Sequence, residues 1–167
     1  MTQLEEARKL LGDAVIDAHE HCGDATLLVE RERLHAALAL LRDDPLLHFN
    51  MLIDLTAVDY LGREPRFEVV YHLASLPIEP GSATPARLRG RVRVKVGVPE
   101  ADCRVASCVA LWPAANWMER EVWDLYGIAF DGHPELRRIL LYEGFQGHPL
   151  RKDYPKERRQ PLVGPRN

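Results

Sequence analysis

Hydrophobic residues recur along this chain with the two periods that separate helices from strands. Around residues 32–41 they return every third or fourth position, which predicts one apolar helical face made of Leu34, Ala37, Leu38 and Leu41. Between residues 66 and 98 they alternate with polar residues, as on a strand with one buried face. The elements predicted in this way are helices at 3–11, 32–41, 103–111 and 114–126, and strands at 15–20, 25–30, 49–58, 66–73 and 87–98.

The three central strands are predicted to carry the core of a sheet. Their inward residues would be Met51, Ile53, Leu55 and Ala57 in the first, Phe67, Val69, Tyr71 and Leu73 in the second, and Leu88, Val92, Val94, Val96 and Val98 in the third. The cations on the opposite face of the third strand are Arg87, Arg89, Arg91, Arg93 and Lys95. A nucleic-acid surface is one interpretation of this ladder, but Asp54 and Glu68 on the neighbouring strands favour ordinary cross-strand ion pairs.

The end of the chain is predicted to leave the sheet domain as an arm. Asp102 is expected to cap the helix at 103–111, and the helix at 114–126 is expected to end at Gly127 in a left-handed conformation. Turns, one short apolar segment and extended chain should follow. The expected fold class is therefore α+β, with a small antiparallel or mixed sheet, helices packed on it and an extended C-terminal arm. The predicted parts are an α+β domain at 1–127 and a signature segment with a partner-docking arm at 128–167.

Charge is distributed unevenly along the chain. The formal net charge is −3, but residues 1–60 carry 5 basic and 12 acidic side chains, whereas residues 132–167 carry 8 basic and 4 acidic ones. A basic end on an acidic body favours an arm that lies on another, acidic surface, and a solvated tail is the alternative. No apolar run is long enough to span a bilayer. The N-terminus lacks the basic-then-apolar order of a secretory signal, so a cytosolic location is expected.

Other kinds of chemistry have weak support in the sequence. Cys22, Cys103 and Cys108 are an odd number and lack the C-x-x-C spacing of zinc or iron–sulfur sites, so free thiols are expected. His19 and His21 share one face of a strand but would need further metal ligands from elsewhere. No nucleophile, phosphate loop or glycine-rich nucleotide motif accompanies the acidic residues of the last helix, so no independent active site is expected.

The densest pattern lies at residues 119–155 and contains two Gly-His-Pro turns with cations close behind each. Glycine permits a sharp bend and proline restricts the residue before it, so each turn is predicted to be a rigid corner that projects those cations. Arg120 is expected to pair with Asp124 one helical turn away, and Asp153 is expected to orient Arg151. The tryptophans gathered beside this region, which either belong to the core or serve as interface anchors, are Trp112, Trp117 and Trp123.

Two segments of this region resemble the signature of the thirty-kilodalton subunit family of respiratory complex I. They are E-R-E-x-x-D-L-Y-G-I-x-F-D-G-H-P-x-L-R-R-I-L at 119–140 and G-F-x-G-H-P-L-R-K-D-Y-P at 144–155. In bacteria this family is the C subunit of the proton-translocating NADH–quinone oxidoreductase. The resemblance implies a protein without a cofactor or active site of its own, with FMN and iron–sulfur clusters in partner subunits. It also implies a peripheral position on the cytoplasmic side of the bacterial inner membrane, against the D subunit (the forty-nine-kilodalton type), which helps to form the quinone site.

The resemblance assigns the signature residues to holding this region together or to docking it on the partner. These residues are Glu119, Arg120, Asp124, Gly127, Gly132, His133, Pro134, Arg137, Arg138, Gly147, His148, Pro149, Arg151, Lys152 and Asp153. The same motif is shared by the homologous subunit of membrane-bound hydrogenases and of related oxidoreductases that use another electron donor. A protein of that kind is the alternative interpretation.

Overall fold

The described residues form a five-stranded mixed sheet with helices packed on it and a smaller two-stranded sheet, so the predicted α+β class is confirmed. The computed structural model describes residues 2–76, 90–157 and 160. Its helices and strands are α1 (Gln3–Leu11), β1 (Val15–His21), β2 (Asp24–Val29), α2 (Leu34–Asp43), β3 (Met51–Asp59), β4 (Phe67–Ser75), β5 (Gly90–Val98), β6 (Arg104–Ala106), α3 (Ala115–Tyr126) and β7 (Ala129–Asp131). None of the helices in these residues is both long and apolar enough to cross a bilayer.

The main sheet has five strands in the order β1-β2-β5-β4-β3. The β2–β5 pair is parallel and the other three pairs are antiparallel, so the sheet is mixed. The parallel pair joins the N-terminal hairpin to the β3–β4–β5 unit. A second, two-stranded parallel sheet is formed by β6 and β7.

The hydrophobic core of the described residues lies between the inward face of the main sheet and the helices. The predicted core residues of α2, of β4 and of the described part of β5 are all buried: Leu34, Ala37, Leu38, Leu41, Phe67, Val69, Tyr71, Leu73, Val92, Val94, Val96 and Val98. On the opposite face the Lys95 ammonium pairs with Glu68 at 2.8 Å, which confirms the expected cross-strand ion pair. Leu88, Arg87 and Arg89 lie outside the described residues.

The predicted inward face of β3 is only half correct. Met51 and Ile53 are 43% and 40% exposed, whereas Leu52, Leu55 and Ala57 are buried. The pairing with β4 shifts between Leu52 and Asp54, so the strand carries a bulge at this point. Because a bulge adds one residue to one strand, it exchanges the inward and outward positions on its two sides.

The helix predicted at 103–111, with Asp102 as its cap, is wrong. Residues 104–106 form β6, which pairs in parallel with β7. The pairing continues at both ends, where the Ala129 N–H donates to the Cys103 carbonyl and the Ser107 N–H donates to the Asp131 carbonyl, each at 2.9 Å. These bonds join segments distant in sequence, and they outweigh the local preference on which the prediction rested.

The helix before the arm has the predicted end. α3 stops at Tyr126, and Gly127 follows in the left-handed region with φ of 74°. The tryptophans separate into three environments: Trp112 is buried in the core, Trp123 is half-buried, and Trp117 is 62% exposed. Trp112 therefore belongs to the core, and the interface role remains a prediction for Trp117.

Candidate functional site

Residues 132–157, hereafter the docked segment, contain neither helix nor strand, and none of them is buried. Polar groups of α3 and of the β3–β4 hairpin hold this segment through directed hydrogen bonds and ion pairs. The sequence predicts an arm after Gly127, and the described residues of this arm lie against the sheet domain of the same chain. The division of the chain into 1–127 and 128–167 remains a prediction.

Asp124 is the main contact between α3 and the docked segment. Its side chain is 0% exposed and pairs with the Arg138 guanidinium at 2.6 Å. Its Oδ2 atom accepts the backbone N–H groups of Ile139, Leu140 and Leu141 at 3.1, 2.9 and 2.9 Å. Burial alone would raise the pKa of Asp124, but the Leu141 N–H, the Arg138 guanidinium and the other two N–H groups together lower it. The ionised carboxylate is thus the form that this site stabilises.

Arg120 binds the same part of the docked segment, one helical turn before Asp124. Its guanidinium donates to the carbonyls of Arg137 and Arg138 at 3.1 and 3.0 Å. It also lies over the Trp117 ring, 5.1 Å from the centroid. The predicted Arg120–Asp124 pair is therefore wrong, because each side chain binds the docked segment instead of the other.

Arg138 continues the connection further along the docked segment. Besides Asp124, its guanidinium donates to the carbonyls of Phe145 and Gly147 at 2.9 and 3.3 Å. A planar guanidinium presents five N–H donors in fixed directions, so one Arg can bind several acceptors at once. The sequence predicts that Arg138 projects from its turn in a defined direction, and in the structure that direction is back onto α3.

The two Gly-His-Pro turns use their histidines as internal hydrogen-bond donors. Gly132 and Gly147 have φ values of 85° and 89°, which confirms the sharp bends. The Glu135 N–H donates to Nδ1 of His133, so Nε2 carries the hydrogen and donates to the Asn116 carbonyl at 3.1 Å. Nδ1 of His148 donates to the Asp124 carbonyl at 2.9 Å. Burial lowers the pKa of His148, which favours the neutral ring in this contact.

Gly127, directly after α3, leaves room for two side chains of the docked segment. A Cβ atom at this position would lie 2.6 Å from the His148 ring and 2.9 Å from the Arg151 guanidinium. The Arg151 guanidinium donates to the Tyr126 carbonyl and lies over the Phe67 ring, 5.0 Å from its centroid. The contact between α3 and the docked segment therefore depends on both the left-handed φ of Gly127 and its lack of a side chain.

A second anchor joins the far end of the docked segment to the β3–β4 hairpin, and sequence analysis missed it. The Arg66 guanidinium, 3% exposed, binds the Asp59 carboxylate at 2.9 and 2.8 Å and the Asp153 carboxylate at 3.1 and 2.8 Å. Asp59 also accepts the Lys152 N–H at 2.8 Å. Hydrogen bonds from Arg66 lower the pKa of both carboxyl groups. The prediction that Asp153 orients Arg151 is wrong, because Asp153 binds Arg66.

Part of this anchor has a signal in the sequence. Asp59 and Arg66 are opposite charges at the facing ends of two consecutive predicted strands, so a hairpin brings them together. Asp153 lies 87 residues beyond Arg66 and carries no such signal.

Glu119 differs from its neighbours, since it binds the sheet domain and not the docked segment. The Ser107 hydroxyl and the Cys108 N–H both donate to its carboxyl group at 2.7 Å. Its side chain is fully buried, and this burial raises its pKa in spite of the two hydrogen bonds. The burial of Cys108 likewise raises the pKa of its thiol. Glu119 thereby fixes the turn after β6 to α3.

Three aromatic rings stabilise the distal part of the docked segment. The Tyr142 and Phe145 rings meet edge to face at 5.5 Å between centroids, and Phe145 stacks on Tyr154 at 6.1 Å. The Gln160 side chain donates to the Gln146 carbonyl and to the Tyr154 hydroxyl, each at 3.0 Å.

The remaining signature residues lie on the surface. Arg137 is 66% exposed in its side chain and pairs at 3.2 Å with Glu135, which is also exposed. Lys152 and Pro134 are exposed, and Pro149 is half-buried. The large apolar side chains exposed beside them are Trp117, Leu140 and Leu150, at 62%, 62% and 47%. Among residues 2–76, 90–157 and 160, no three His, Cys, Asp or Glu side chains come together as a metal site.

The sequence of this chain is similar to one family over most of its length. Residues 27–160 match the family described as the 30 Kd subunit of the respiratory-chain NADH dehydrogenase. The C subunit of the NADH-quinone oxidoreductase of Citrifermentans bemidjiense is 45% identical over 159 residues, which cover 94% of this chain and 91% of that protein. The corresponding C subunit of a Roseiflexus species is 50% identical over 154 residues, which cover 92% of this chain and 83% of that protein.

Solved structures are also similar in fold, among them the following two. The trypsin-resistant fragment (1–134) of Nqo5 is 38% identical with a TM-score of 0.64, and the match covers 80% of this chain and 96% of the fragment. A chain of the membrane-bound sulfane sulfur reductase, an archaeal respiratory membrane complex, is 21% identical with a TM-score of 0.70, over 92% of this chain and 85% of that one. At 21% identity the second likeness concerns the fold alone.

Proposed function

This chain belongs to the family of the 30 Kd subunit of the respiratory-chain NADH dehydrogenase, and from this premise we propose that it is a cofactor-free, non-catalytic subunit of a proton-translocating NADH–quinone oxidoreductase. Its role is to hold the quinone-site D subunit, of the forty-nine-kilodalton type, in place. FMN and iron–sulfur clusters belong to partner subunits. The chain is peripheral, on the cytoplasmic side of the bacterial inner membrane, and contacts the membrane only through the complex.

The observation that carries this proposal is that some signature residues bind within the chain whereas others remain exposed. The charged groups of the signature that hold the docked segment already have partners inside the chain: Asp124 binds Arg138, Asp153 binds Arg66 of the β3–β4 hairpin, and Arg120 donates to backbone carbonyls. Such groups set the shape of the docked segment before any partner arrives. A segment already held in shape loses less conformational entropy on binding.

The docking surface consists of exposed groups that do not hold the docked segment in place. They combine exposed cations, Arg137 and Lys152, with the exposed apolar side chains Trp117, Leu140 and Leu150. Trp, Leu and Arg at a protein surface are typical of interfaces, because each buries a large area and Arg adds directed hydrogen bonds. We assign docking to this surface and to the prolines beside it, Pro134 and Pro149, and assign holding to the other signature residues.

A second candidate is a homologous subunit in a membrane complex with another electron donor. The similar fold of a chain from the sulfane sulfur reductase favours considering it, since the fold itself does not specify the donor. The higher identity to C subunits of NADH-quinone oxidoreductases over most of the chain favours NADH as the donor.

The proposal is tested by tagging the chain in its host, solubilising the membranes gently and identifying what co-purifies. We expect a complex that contains flavin, clusters and the quinone-site D subunit, and that oxidises NADH. A complex that contains the chain but does not oxidise NADH would favour the second candidate. A chain recovered alone would contradict both.

A matched pair of variants tests the docking surface in the same preparation. Arg137→Glu reverses an exposed cation of the docking surface, and Arg33→Glu reverses a comparable cation elsewhere, each paired at 3.2 Å with a nearby Glu. We expect Arg137→Glu to lower the recovery of partner subunits about tenfold and Arg33→Glu to leave it unchanged. Equal recovery with both variants would remove the docking role of Arg137.

A further inference from the structure

A groove far from the signature in sequence lies between α1 and the turn that follows α2. It encloses about 360 Å³ and is lined by Glu6, Lys9, Leu10, Asp44, Leu46 and Leu47. We call it the α1–α2 groove. None of its residues takes part in holding the docked segment, so the function proposed above leaves it unexplained.

The sequence Asp-Pro-Leu-Leu presents one leucine outward at the mouth of this groove. The Asp44 carboxylate accepts the N–H groups of Leu46 and Leu47, each at 2.9 Å, and so fixes the turn. Leu47 points into the core and is 3% exposed, whereas Leu46 is 80% exposed, the largest value among the exposed large apolar residues of the described chain. Exposure of the Leu46 side chain to water is unfavourable in the free subunit. A partner that covers this side chain removes the unfavourable hydration free energy.

The groove has a negative electrostatic character around its apolar floor. Its lining holds the carboxylates of Glu6 and Asp44 against the single ammonium of Lys9. Asp44 is also the C-terminal cap of α2, where the helix ends with partial negative charge on its last carbonyls. The combination favours an apolar group accompanied by a cation.

We propose that the α1–α2 groove binds a polypeptide segment of another subunit of the complex, one that carries an apolar side chain beside a Lys or Arg. The apolar side chain packs against Leu10 and Leu46, and the cation lies between Glu6 and Asp44. The inference rests on the proposed function, because it takes the occupant from the same complex. It adds a second contact, separate from the docking surface at Trp117 and Arg137.

Photo-crosslinking in the assembled complex identifies the occupant directly. Leu46 is replaced by p-benzoylphenylalanine in one variant and Trp117 in another, the complex is purified and irradiated, and crosslinked peptides are sequenced. We expect the probe at position 46 to attach to a peptide of another subunit with Lys or Arg next to an apolar residue. The probe at position 117 reports on the docking surface independently.

Several crosslinking results would overturn the inference. A crosslink from position 46 only to this chain's own residues 158–167, or to a second copy of the chain, would assign the groove to another occupant. No crosslink at 46 together with one at 117 would leave the proposed function standing and remove the groove. A chain that co-purifies with no other subunit would remove the proposed function and the groove together.

Charge variants test the sign of the complementarity. Glu6→Lys should speed dissociation of the chain from the purified complex about tenfold at low salt, and Lys9→Glu should slow it, because the occupant is cationic. Leu46→Ser should also speed dissociation, whereas Leu61→Ser, at a site that is 53% exposed in another turn, should not. Charge effects of the opposite sign, or none, would overturn the proposal.

Discussion

The sheet domain and the docked segment are held by different forces. Buried apolar side chains from α1 to β7 form one continuous core in the domain. The docked segment has no buried residue, and buried charged groups of α3 and of the β3–β4 hairpin hold it instead: Arg120, Asp124 and Arg66. Hydrophobic burial has no preferred direction, whereas hydrogen bonds to ionised groups fix angles as well as distances.

This difference explains how the chain can place an irregular segment without covering it. If the docked segment were held by apolar contacts, its large side chains would have to turn inward. Because charged groups hold its backbone, Leu140 can point outward although its own N–H is bound to Asp124 at 2.9 Å. Apolar surface thus remains free for a partner. The two regions should therefore respond to different mutations.

The largest effect is expected from the apolar core. Leu38→Ala removes a fully buried side chain of α2 and should lower the free energy of unfolding by about 4 kcal/mol. The docked segment should lose its structure in the same transition, since the domain supports it. Leu40→Ala, two residues away and 47% exposed, is the matched control and should change stability little. Urea denaturation measures both variants, and a similar loss in each would refute this account of the core.

Asp124→Asn should come next and should act mainly on the docked segment. The substitution removes the charge that binds Arg138, and it replaces the carboxylate that accepts three N–H groups with an amide that has one acceptor oxygen. We therefore expect the free energy of unfolding to fall by about 3 kcal/mol. Trypsin cleavage after Arg137 and Arg138 should become much faster while the circular dichroism of the sheet persists. Glu121→Gln, at an exposed position of the same helix, is the control. An unchanged cleavage rate in Asp124→Asn would contradict the role of Asp124.

Arg66→Lys should have a smaller effect at the far end of the docked segment. Lysine keeps the positive charge but cannot bind Asp59 and Asp153 at the same time through paired N–H groups. We therefore expect the free energy of unfolding to fall by about 2 kcal/mol. Hydrogen exchange should speed up at the Lys152 N–H, which is bound to Asp59. Exchange at Leu141, bound to Asp124, should stay slow. Equal acceleration at both amides would show that the two anchors act as one unit.

The smallest effect, and the one with the opposite sign, concerns pH. Burial raises the pKa of Glu119 above its ordinary value of 4.5, so its favourable contribution is present below that value and is lost as pH rises through the pKa of the folded state. Glu119→Gln should therefore gain stability relative to the wild type as pH rises from 4.5 toward neutrality. Denaturation curves at several pH values measure this difference, and a constant difference would refute the prediction.

The carboxylates that hold the docked segment should show the reverse dependence. The pKa of Asp59, Asp124 and Asp153 lies below the ordinary value of 3.8, so their contributions are present above 3.8 and are lost as pH falls through the folded-state values. Acid should therefore release the docked segment by protonating its anchors, whereas it relieves the unfavourable charge of Glu119. Hydrogen exchange at acidic pH separates the two regions.

The periodic part of the fold could be predicted from the sequence, because its signal is local. The apolar face of α2 and the alternation in β4 and β5 state directly which residues are buried. The end of α3 at Gly127 follows from the special freedom of glycine. The bulge in β3 could not be foreseen, since alternation on both sides of it is regular and only the pairing with β4 reveals the shift.

The contacts of the candidate site were less predictable, because most of them join residues distant in sequence. The signature marks the correct region, yet the local rule that pairs charges four residues apart fails for Arg120 and Asp124, which find stronger partners in the docked segment. The strand at 104–106 is missed for the same reason, since its partner β7 lies more than twenty residues further along. The sequence around Arg66 gives no indication of its ion pair with Asp153.

Hydrogen exchange at the amides of Ile139, Leu140 and Leu141 in the isolated chain tests the central claim most directly. All three donate to the Asp124 carboxylate, so they report whether the chain itself fixes the docked segment. We predict slow exchange at these amides in the isolated protein, without any partner present. Fast exchange in the isolated chain, with protection appearing only in the assembled complex, would show that the partner and not Asp124 orders this segment.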